Sequence, residues 1–264
     1  MTVGQSHRTT GKHALQNAIN GRENAVAHRI RRRYLMIDLC AGNGAPSKES
    51  GTSSPAIMLK HRDYARQKLH RADDQVRVAL IEKDYDTYLE LKKNHPTADH
   101  ALYADARDIA ALVEPLWDRQ TCVFILNDPN NVHQWALTAP WVTRLPRLTT
   151  TMSTLGCNVG GLKMLKPEKR EEWFHHVGCI TATLSDHQDA LLISLTSDSN
   201  QWAYLISGPE RWREEYQRDA EKAFQGHDLE TAWASDHKHF DDLTNRLFRT
   251  RKEYQHNQSN GGLF

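Results

Sequence analysis

Apolar and polar positions group along the chain into blocks that predict a succession of strands and helices. Residues 35–39 form an apolar run with one acidic interruption, typical of a strand covered on both faces in a parallel sheet. Further strands are predicted over residues 76–84, a short segment ending at Asp105, residues 121–131 with a closing polar turn, and 148–156. Helices are predicted from Pro55 onward, over Tyr85–Asn94 and over residues 167–179. Strands alternating with helices indicate an α/β fold with a mostly parallel sheet.

Both ends of the chain predict helical additions to this core. Polar residues 1–12, expected to be mobile, precede a helix over Lys12–Arg33 that Gly21 interrupts. Two apolar runs over residues 189–208 predict an antiparallel hairpin at the edge of the sheet, and helical patterns follow over residues 208–255. We therefore expect an N-terminal extension and helix over 1–33, a core over 34–207, and a helical addition with a frayed tail over 208–264.

A glycine turn follows the first predicted strand. Asp38 lies near the end of the apolar run, and Gly42 and Gly44 allow positive φ angles and close backbone approach. The small Ala41 leaves room for an adenosine-sized group. A dinucleotide site would need a third glycine at the GxGxxG spacing, where this chain has GNGAPS. The turn therefore indicates S-adenosylmethionine, with a plain bend after a core strand as the alternative.

Acidic residues follow three successive predicted strands, at Asp38, Glu82 and Asp105. Glu82 is expected to accept both ribose hydroxyls, and Asp38 to hold the methionine ammonium group. Asp105 with Ala106 would hold the adenine. Each acid alone is more typical of a solvated strand end or helix cap, but three behind a glycine turn favour a cofactor site. The predicted cofactor-binding residues are Asp38, Cys40, Ala41, Gly42, Gly44, Glu82, Lys83, Asp105, Ala106 and Asn127.

The fourth predicted strand ends in NDPNN, residues 127–131, where an acceptor would meet the transferred methyl group. An amide or carboxylate followed by proline can hold an exocyclic amine with its lone pair towards the donor. Because a sulfonium is already activated, positioning and desolvation are then sufficient. The alternative is a proline turn with helix caps. The predicted catalytic residues are Asn127, Asp128, Pro129 and Asn130.

These motifs carry a family resemblance over roughly residues 34–207. DLCAGNG, IEKD and NDPN resemble the ordered motifs of class I S-adenosylmethionine-dependent methyltransferases. The glycine turn continues into GTSSPAIMLK, which resembles the Gly-Ser-Pro segment of the three-Cys-motif partner group of bacterial proteins. The resemblance implies a Rossmann-like fold whose mostly parallel sheet ends in an antiparallel hairpin. It also implies that the cofactor is held by Asp38, Gly42, Gly44, Glu82 and Asp105.

The fourth-strand turn is similar, more weakly, to the Asp/Asn-Pro-Pro-aromatic motif of amino-group DNA methyltransferases. Asp128 stands where that motif has proline, and Asn130 where an aromatic residue stacks on a flipped base. Trp135 or Trp141 is a candidate for the missing stack. The resemblance implies methyl transfer to an amino group of a nucleic acid, with DNA adenine favoured over RNA.

Two other functional classes remain open. One is a cofactor-binding regulatory or interaction module of a mobile-element or defence system, without turnover. The other is a small-molecule methyltransferase, which predicts an enclosed apolar pocket instead of an open basic cleft.

Charge and composition limit the choice of partner. At 264 residues with 39% hydrophobic residues, the chain is long enough for one α/β domain with additions. Because the net charge is +1, a nucleic-acid surface would have to be a local patch. The basic segment HRIRRRY, residues 28–34, is either a phosphate-contacting patch near the cofactor site or a solvated helix end, with neither favoured.

Cysteine usage and the apolar pattern predict a soluble, cytoplasmic protein. The cysteines are far apart and show no CxxC pairing, so we expect reduced thiols. No signal peptide, membrane-length apolar run or metal-ligand spacing is found in the sequence, and we expect neither a membrane location nor a metal site. The cysteines are Cys40, Cys122, Cys157 and Cys179.

Overall fold

The computed structural model describes residues 7–106, 114–128, 148–155, 177–178, 181, 184, 187–197 and 200–248. The helices within these ranges are α1 His7–Arg29, α2 Ser54–Lys68, α3 Tyr85–Asn94, α4 Arg213–Ala223 and α5 His237–Phe248. The strands are β1 Arg33–Asp38, β2 Val76–Glu82, β3 His100–Tyr103, β4 Thr121–Asn127, β5 Thr149–Thr154, β6 Gln188–Ser197, β7 Asn200–Pro209 and β8 Asp228–Trp233. Short 3₁₀ helices cover Glu114–Leu116 and Glu210–Trp212.

The described strands form one sheet in the order β3-β2-β1-β4-β5-β7-β6-β8. Strands β1 to β5 are parallel, whereas β7 runs antiparallel to both β5 and β6. This arrangement confirms the Rossmann-like class I methyltransferase fold predicted from the sequence, with its closing hairpin. β1 is buried at every position after Arg33, as expected for a central strand that pairs on both sides.

Helices cover both faces of the sheet. On one face, the first four helices contribute Leu15, Met58, Leu91 and Tyr216 to the main apolar cluster. On the other face, α5 packs against β6 to β8, and a separate cluster lies along β1, β2 and β4. α1 and α4, which belong to the predicted additions, therefore bury side chains in the same core as the central strands.

The amino end of the chain differs from the prediction. α1 begins at His7 and continues without interruption through Gly21 to Arg29, so the expectation of a mobile segment is wrong for residues 7–12. A glycine costs roughly 1 kcal/mol in a helix relative to alanine. A larger residue would be crowded at this position, because Gly21 packs closely on α2 and an added Cβ would lie 3.2 Å from the His61 ring.

The carboxyl-terminal part also contains a strand that the helical pattern concealed. β8 pairs antiparallel with β6, so the β6–β7 hairpin is not at the sheet edge and residues 228–233 are not helical. The free edge of β6 would expose backbone N–H and C=O groups, which β8 satisfies. β3 ends at Tyr103, two residues earlier than predicted.

Some predictions lie outside the described residues. Of the predicted helix over 167–179, only residues 177–178 are described, and these are helical. Cys40 and Cys122 are free thiols, as expected, whereas Cys157 and Cys179 are not described. Among the described helices, none has the length and apolar character needed to cross a membrane.

α1 carries a buried carboxylate, Glu23, into the main core. Its side chain is 3% exposed and accepts hydrogen bonds from the hydroxyls of Tyr34 at 3.3 Å and Tyr216 at 3.5 Å. Burial raises the pKa of Glu23 from 4.5 to about 7, against the opposing effects of Thr150 and Arg22. In the unfolded chain Glu23 ionises at lower pH than in the folded chain. Stability therefore falls as pH rises from 4.5 to about 7 and stays lower above that value.

We predict that Glu23→Gln stabilises the chain at about pH 8 and leaves its stability nearly unchanged at about pH 4. The amide keeps the side-chain shape but removes the cost of burying an ionised group. The gain in free energy of unfolding at the higher pH should be on the order of 2 kcal/mol, measured by urea unfolding. Glu221→Gln, on the exposed face of α4, is the matched control and should have no such effect. An equal change in the free energy of unfolding at both pH values would contradict the raised pKa of Glu23.

Candidate cofactor and acceptor site

The carboxyl ends of β1, β2 and β4 meet at one edge of the sheet because these strands are parallel neighbours. Asp38, the last residue of β1, lies in register with Leu80 of β2 and Leu126 of β4. Glu82 and Asn127 therefore lie just beyond the level of Asp38 on either side of it. The fold brings these three predicted site residues together, at the edge where open α/β sheets bind ligands.

The glycine turn leaves β1 and crosses towards β2. The N–H of Ala41 donates to the carbonyl of Ile81 at 2.9 Å. The N–H of Gly42 donates to Oε2 of Glu82 at 3.0 Å. Two predicted site elements, the glycine turn and the acid after the second strand, are therefore in direct contact.

Two glycines shape this turn for different reasons. Gly42 has a φ of +58° and Gly44 a φ of +67°. A Cβ added to Gly44 would lie 2.4 Å from the His95 ring, whereas a Cβ on Gly42 would meet no atom of the described residues within 4 Å. Gly44 is thus needed for packing against the end of α3. Gly42 borders open space beside Glu82.

Polar residues of α3 and its C-cap hold the turn in position. His95 Nε2 bonds the carbonyl of Gly44 at 2.9 Å. Asn94 Nδ2 donates to the carbonyl of Asn43 at 2.8 Å, and the Asn43 amide donates to Glu90 at 3.0 Å. The sequence did not identify these supporting residues, because polar residues in a helix carry no signal of a partner about fifty positions away.

Asp38 is the most strongly buried acid at this edge, with 1% of its surface exposed. Its Oδ1 accepts a hydrogen bond from the N–H of Cys40 at 3.2 Å. Among the described residues, its Oδ2 has no hydrogen-bond partner. Burial raises the pKa of Asp38 to about 7, opposed by the Cys40 N–H and reinforced by the charge of Asp128. A buried carboxylate oxygen without a partner is costly and is typical of a ligand-binding position.

Glu82 is partly buried and holds the backbone on both of its sides. Oε2 accepts from Gly42, and Oε1 accepts from the N–H of Asp84 at 2.9 Å. An ionised carboxylate has about four acceptor positions. Each oxygen can therefore accept one further hydrogen bond while the turn stays fixed.

Asp105 and Ala106 lie just after β3 and are partly buried. The N–H of Ala104 donates to the carbonyl of Glu82 at 3.1 Å, which brings this segment beside the end of β2. The backbone that follows β3 therefore lies next to the end of β2.

The remaining predicted cofactor residues differ in exposure. Ala41 is buried, Cys40 is partly buried and Lys83 is exposed. Burial, with Asp38 as a further cause, raises the pKa of the Cys40 thiol well above its ordinary value. Cys40 is therefore a neutral side chain that lines the turn.

The acceptor side contains an ion pair that the sequence did not predict. Lys12 Nζ, from α1, donates to Oδ2 of Asp128 at 2.5 Å, and the two side chains are 14% and 26% exposed. Burial alone would raise the pKa of Asp128. The Lys12 charge and the hydrogen bond from Lys12 outweigh burial, so the pKa of Asp128 is lowered. Asp128 is thus an ionised carboxylate with a fixed counter-charge.

The other residues predicted for the acceptor side lie outside the described residues. They are Pro129, Asn130, Trp135 and Trp141.

The start of α1 is fixed against the loop that follows the glycine turn. His13 Nδ1 lies 2.8 Å from Oγ of Ser50, and Gln16 donates to the carbonyl of Ser54 at 3.1 Å. Burial and the Lys12 charge lower the pKa of His13 to about 4, so its ring is neutral at physiological pH. Lys12 and His13 belong to a stretch that the sequence placed in an extension. No local spacing signals their contact with residues near the site.

The basic segment at residues 28–34 does not lie near this site. It precedes β1, and the carboxyl end of β1 is about 17 Å further along the strand. Arg33 pairs with Asp118, and Arg32 donates to the carbonyl of Arg119 at 3.0 Å. Arg29 and Arg31 are exposed. Of the two alternatives for this segment, a phosphate-contacting patch near the cofactor site is therefore wrong.

Comparisons with known proteins support the fold. No family model matches the chain, and no curated protein matches it significantly. Among solved structures, it is similar to protein LPL1258 from Legionella pneumophila, of family model DUF519, at 10% identity and a TM-score of 0.57, covering 85% of this chain and 96% of that one. At this identity the similarity concerns the fold alone.

Weaker structural similarities extend to two named methyltransferases. An O-methyltransferase from Bacillus cereus, in complex with SAH, has 13% identity and a TM-score of 0.43, covering 79% of this chain and 93% of that one. An rRNA methylase from Streptococcus thermophilus has 6% identity and a TM-score of 0.40, covering 70% and 95%. We draw no functional conclusion from these two.

We predict that Gly44→Ala destabilises the chain more than Gly51→Ala. Both residues have positive φ, at +67° and +64°, but only at Gly44 would a Cβ collide with a neighbour. Gly51→Ala should lose about 1 kcal/mol of unfolding free energy through backbone strain, and Gly44→Ala about 3 kcal/mol through strain plus displacement of His95. Urea unfolding measures both values. Equal losses would mean that His95 moves aside freely.

Proposed function

We propose that this chain binds S-adenosylmethionine at the carboxyl edge of the sheet and transfers its methyl group to an amino group of a nucleic acid. The observation that carries the proposal is Oδ2 of Asp38, a buried carboxylate oxygen without a partner among the described residues. The fold is that of class I methyltransferases, in which this edge is the expected position for the cofactor.

The described residues fit the cofactor in three respects. Gly42 borders open space and so leaves room for a ligand against the backbone. Glu82 retains acceptor capacity on both oxygens while it holds the turn. Asp38 has an acceptor oxygen that an ammonium group would satisfy. A charged donor would also offset part of the cost of burying ionised Asp38.

Each residue then has a distinct binding role. Asp38 would hold the methionine ammonium group, directly or through a water molecule. Glu82 would accept the two ribose hydroxyls, and Asp105 the adenine amino group. Cys40, Ala41, Lys83, Ala106 and Asn127 would line the same pocket.

When bound, S-adenosylmethionine supplies a methyl group on a positively charged sulfur, which needs no further activation. The chain therefore has to orient the acceptor and exclude water. Asn127 and Asp128 would accept hydrogen bonds from the acceptor amine and turn its lone pair towards the donor. Lys12 would keep Asp128 ionised and correctly oriented. Pro129 and Asn130 complete the proposed acceptor segment.

A second candidate function is a cofactor-binding module without turnover. The ion pair of Lys12 with Asp128 favours it, because an acceptor amine would have to share a carboxylate that already has a partner at 2.5 Å. The two functions agree on the cofactor and differ only in whether a methyl group is transferred.

We predict that Asp38→Asn weakens cofactor binding while it stabilises the chain above about pH 7. The amide removes both the charge that attracts the ammonium group and the cost of burying an ionised carboxylate. Calorimetry with S-adenosylhomocysteine should give measurable heat for the parent chain and at least about tenfold weaker binding for the variant. Absence of heat with the parent chain at submillimolar concentration would end the proposal.

The paired variants Gly42→Ala and Gly51→Ala serve as controls for this binding experiment. Both residues have positive φ, and in the part of the chain that the structure describes no atom lies within 4 Å of an added Cβ, so their effects on stability should be similar. Only Gly42→Ala should weaken binding, because only Gly42 borders the proposed pocket. Glu82→Ala should also weaken it, and an unchanged affinity would remove Glu82 from the site.

We predict that the chain transfers labelled methyl groups to DNA or RNA, and that Asp128→Asn slows transfer about 100-fold with little effect on cofactor affinity. The expected loss reflects poor orientation of the acceptor. Asp219→Asn is the matched control, because it removes the ion pair that Asp219 forms with Arg22 of α1. This variant should leave transfer intact. Binding without transfer to any of a panel of DNA, RNA, protein and small amines would favour the module. If labelled methyl groups appear only in protein or only in small amines, the acceptor belongs to that class and is not a nucleic acid.

A further inference from the structure

α1 and α2 lie side by side on one face of the sheet and leave a groove of about 310 Å³ between them. The groove, here called the α1–α2 groove, is lined by residues that include Gly21, His28, Lys60, His61 and Tyr64. It lies outside the cofactor edge. None of its lining residues was assigned a role in the site described above.

The groove has fixed walls. His61 Nε2 bonds the side-chain oxygen of Asn17 at 3.0 Å, and Asn24 Nδ2 donates to the carbonyl of His61 at 2.9 Å. Gly21 supplies no side chain where α1 faces His61, and an added Cβ there would lie 3.2 Å from the His61 ring. The groove is therefore a formed feature of the described structure, held by hydrogen bonds between its two helices.

The charge of both helices is strongly biased towards basic residues. α1 and α2 together contain two acidic residues, Glu23 and Asp63. Glu23 is buried, and Asp63 pairs with Arg62 at 2.7 Å. Lys60 and Lys68 are exposed on α2. Four other cations of the two helices are ion-paired with acids: Lys12, Arg22, Arg62 and Arg66. The exposed positive charge of this face therefore comes from Lys60, Lys68 and Arg29.

Tyr64 adds an aromatic surface to the basic one. It is 55% exposed and lines the groove beside His61. Burial lowers the pKa of His61, which makes its ring a neutral wall. An exposed aromatic ring among basic side chains is the combination on which proteins stack the bases of single-stranded nucleic acids.

The groove ends beside the basic segment that follows α1. Along α1 the groove is lined from Gly21 to His28, and along α2 and its C-cap from Lys60 to Leu69. At this end, His28 leads to the exposed Arg29 and Arg31. From Gly21 to His28, α1 extends about 10 Å, enough for a base and its flanking phosphates.

We propose that the α1–α2 groove binds a single-stranded nucleic acid, with a base stacked on Tyr64 and phosphates held by Lys60 and the exposed arginines. The proposal rests on the proposed function, since the bound strand is the substrate class whose amino group would enter the acceptor side. It also gives the basic end of α1 a role away from the cofactor.

The test is fluorescence anisotropy with labelled RNA and DNA strands of about 12 nucleotides, without cofactor. Tyr64→Ala should weaken binding about tenfold, which is the loss expected for one stacked base. Lys60→Gln should weaken it and reduce the slope of log affinity against log salt concentration by about 1. The duplex of the same sequence should bind more weakly than either strand.

Matched controls keep the outcome specific. Tyr85→Ala removes a tyrosine that is 54% exposed on α3, and Lys238→Gln removes an exposed lysine of α5. Both should bind as the parent chain does. Equal losses in variants and controls, tighter binding of the duplex, or no binding of any strand would overturn the groove proposal. Calorimetry with S-adenosylhomocysteine on the same variants should remain unchanged, so failure of the groove is distinguishable from failure of the cofactor site.

Discussion

The parallel pairing of β1 with β2 and β4 is the constraint on which the rest of the structure depends. It sets Asp38 level with Leu80 and Leu126, so three strand ends and the glycine turn meet at one edge. The turn can then bond Glu82 through its own backbone. A shift of one residue in this register would turn the side chains of β1 to the opposite face and separate the elements of the site.

Two buried carboxylates show how the fold uses ionisable groups. Glu23 and Asp38 are both deeply buried, and burial raises the pKa of each to about 7. Glu23 accepts hydrogen bonds from two tyrosine hydroxyls, whereas Oδ2 of Asp38 has no partner within the described part of the chain. The first arrangement joins α1 to the core. The second leaves an acceptor at the strand edge, which is the physical basis for proposing a ligand there.

α1 links the core, the acceptor side and the basic groove. Its apolar residues belong to the main cluster, Lys12 pairs with Asp128, and its opposite face forms one wall of the groove with α2. Because one rigid helix carries all three features, its docking sets the position of the groove relative to the strand ends. The helix that the sequence placed in an extension is thus packed into the core and in contact with the end of β4.

The sequence by itself determined the order of the central strands and helices, the glycine turn and the acids after successive strands. These are local properties, because apolar periodicity, glycine's tolerance of positive φ and short spacings act within a few residues. Only the tertiary structure decided that β8 covers β6, that Lys12 reaches Asp128 across 116 positions, and that the basic segment lies away from the cofactor edge. These outcomes depend on which surfaces must be buried and which backbone groups must be paired, and no local pattern encodes the partner that satisfies them.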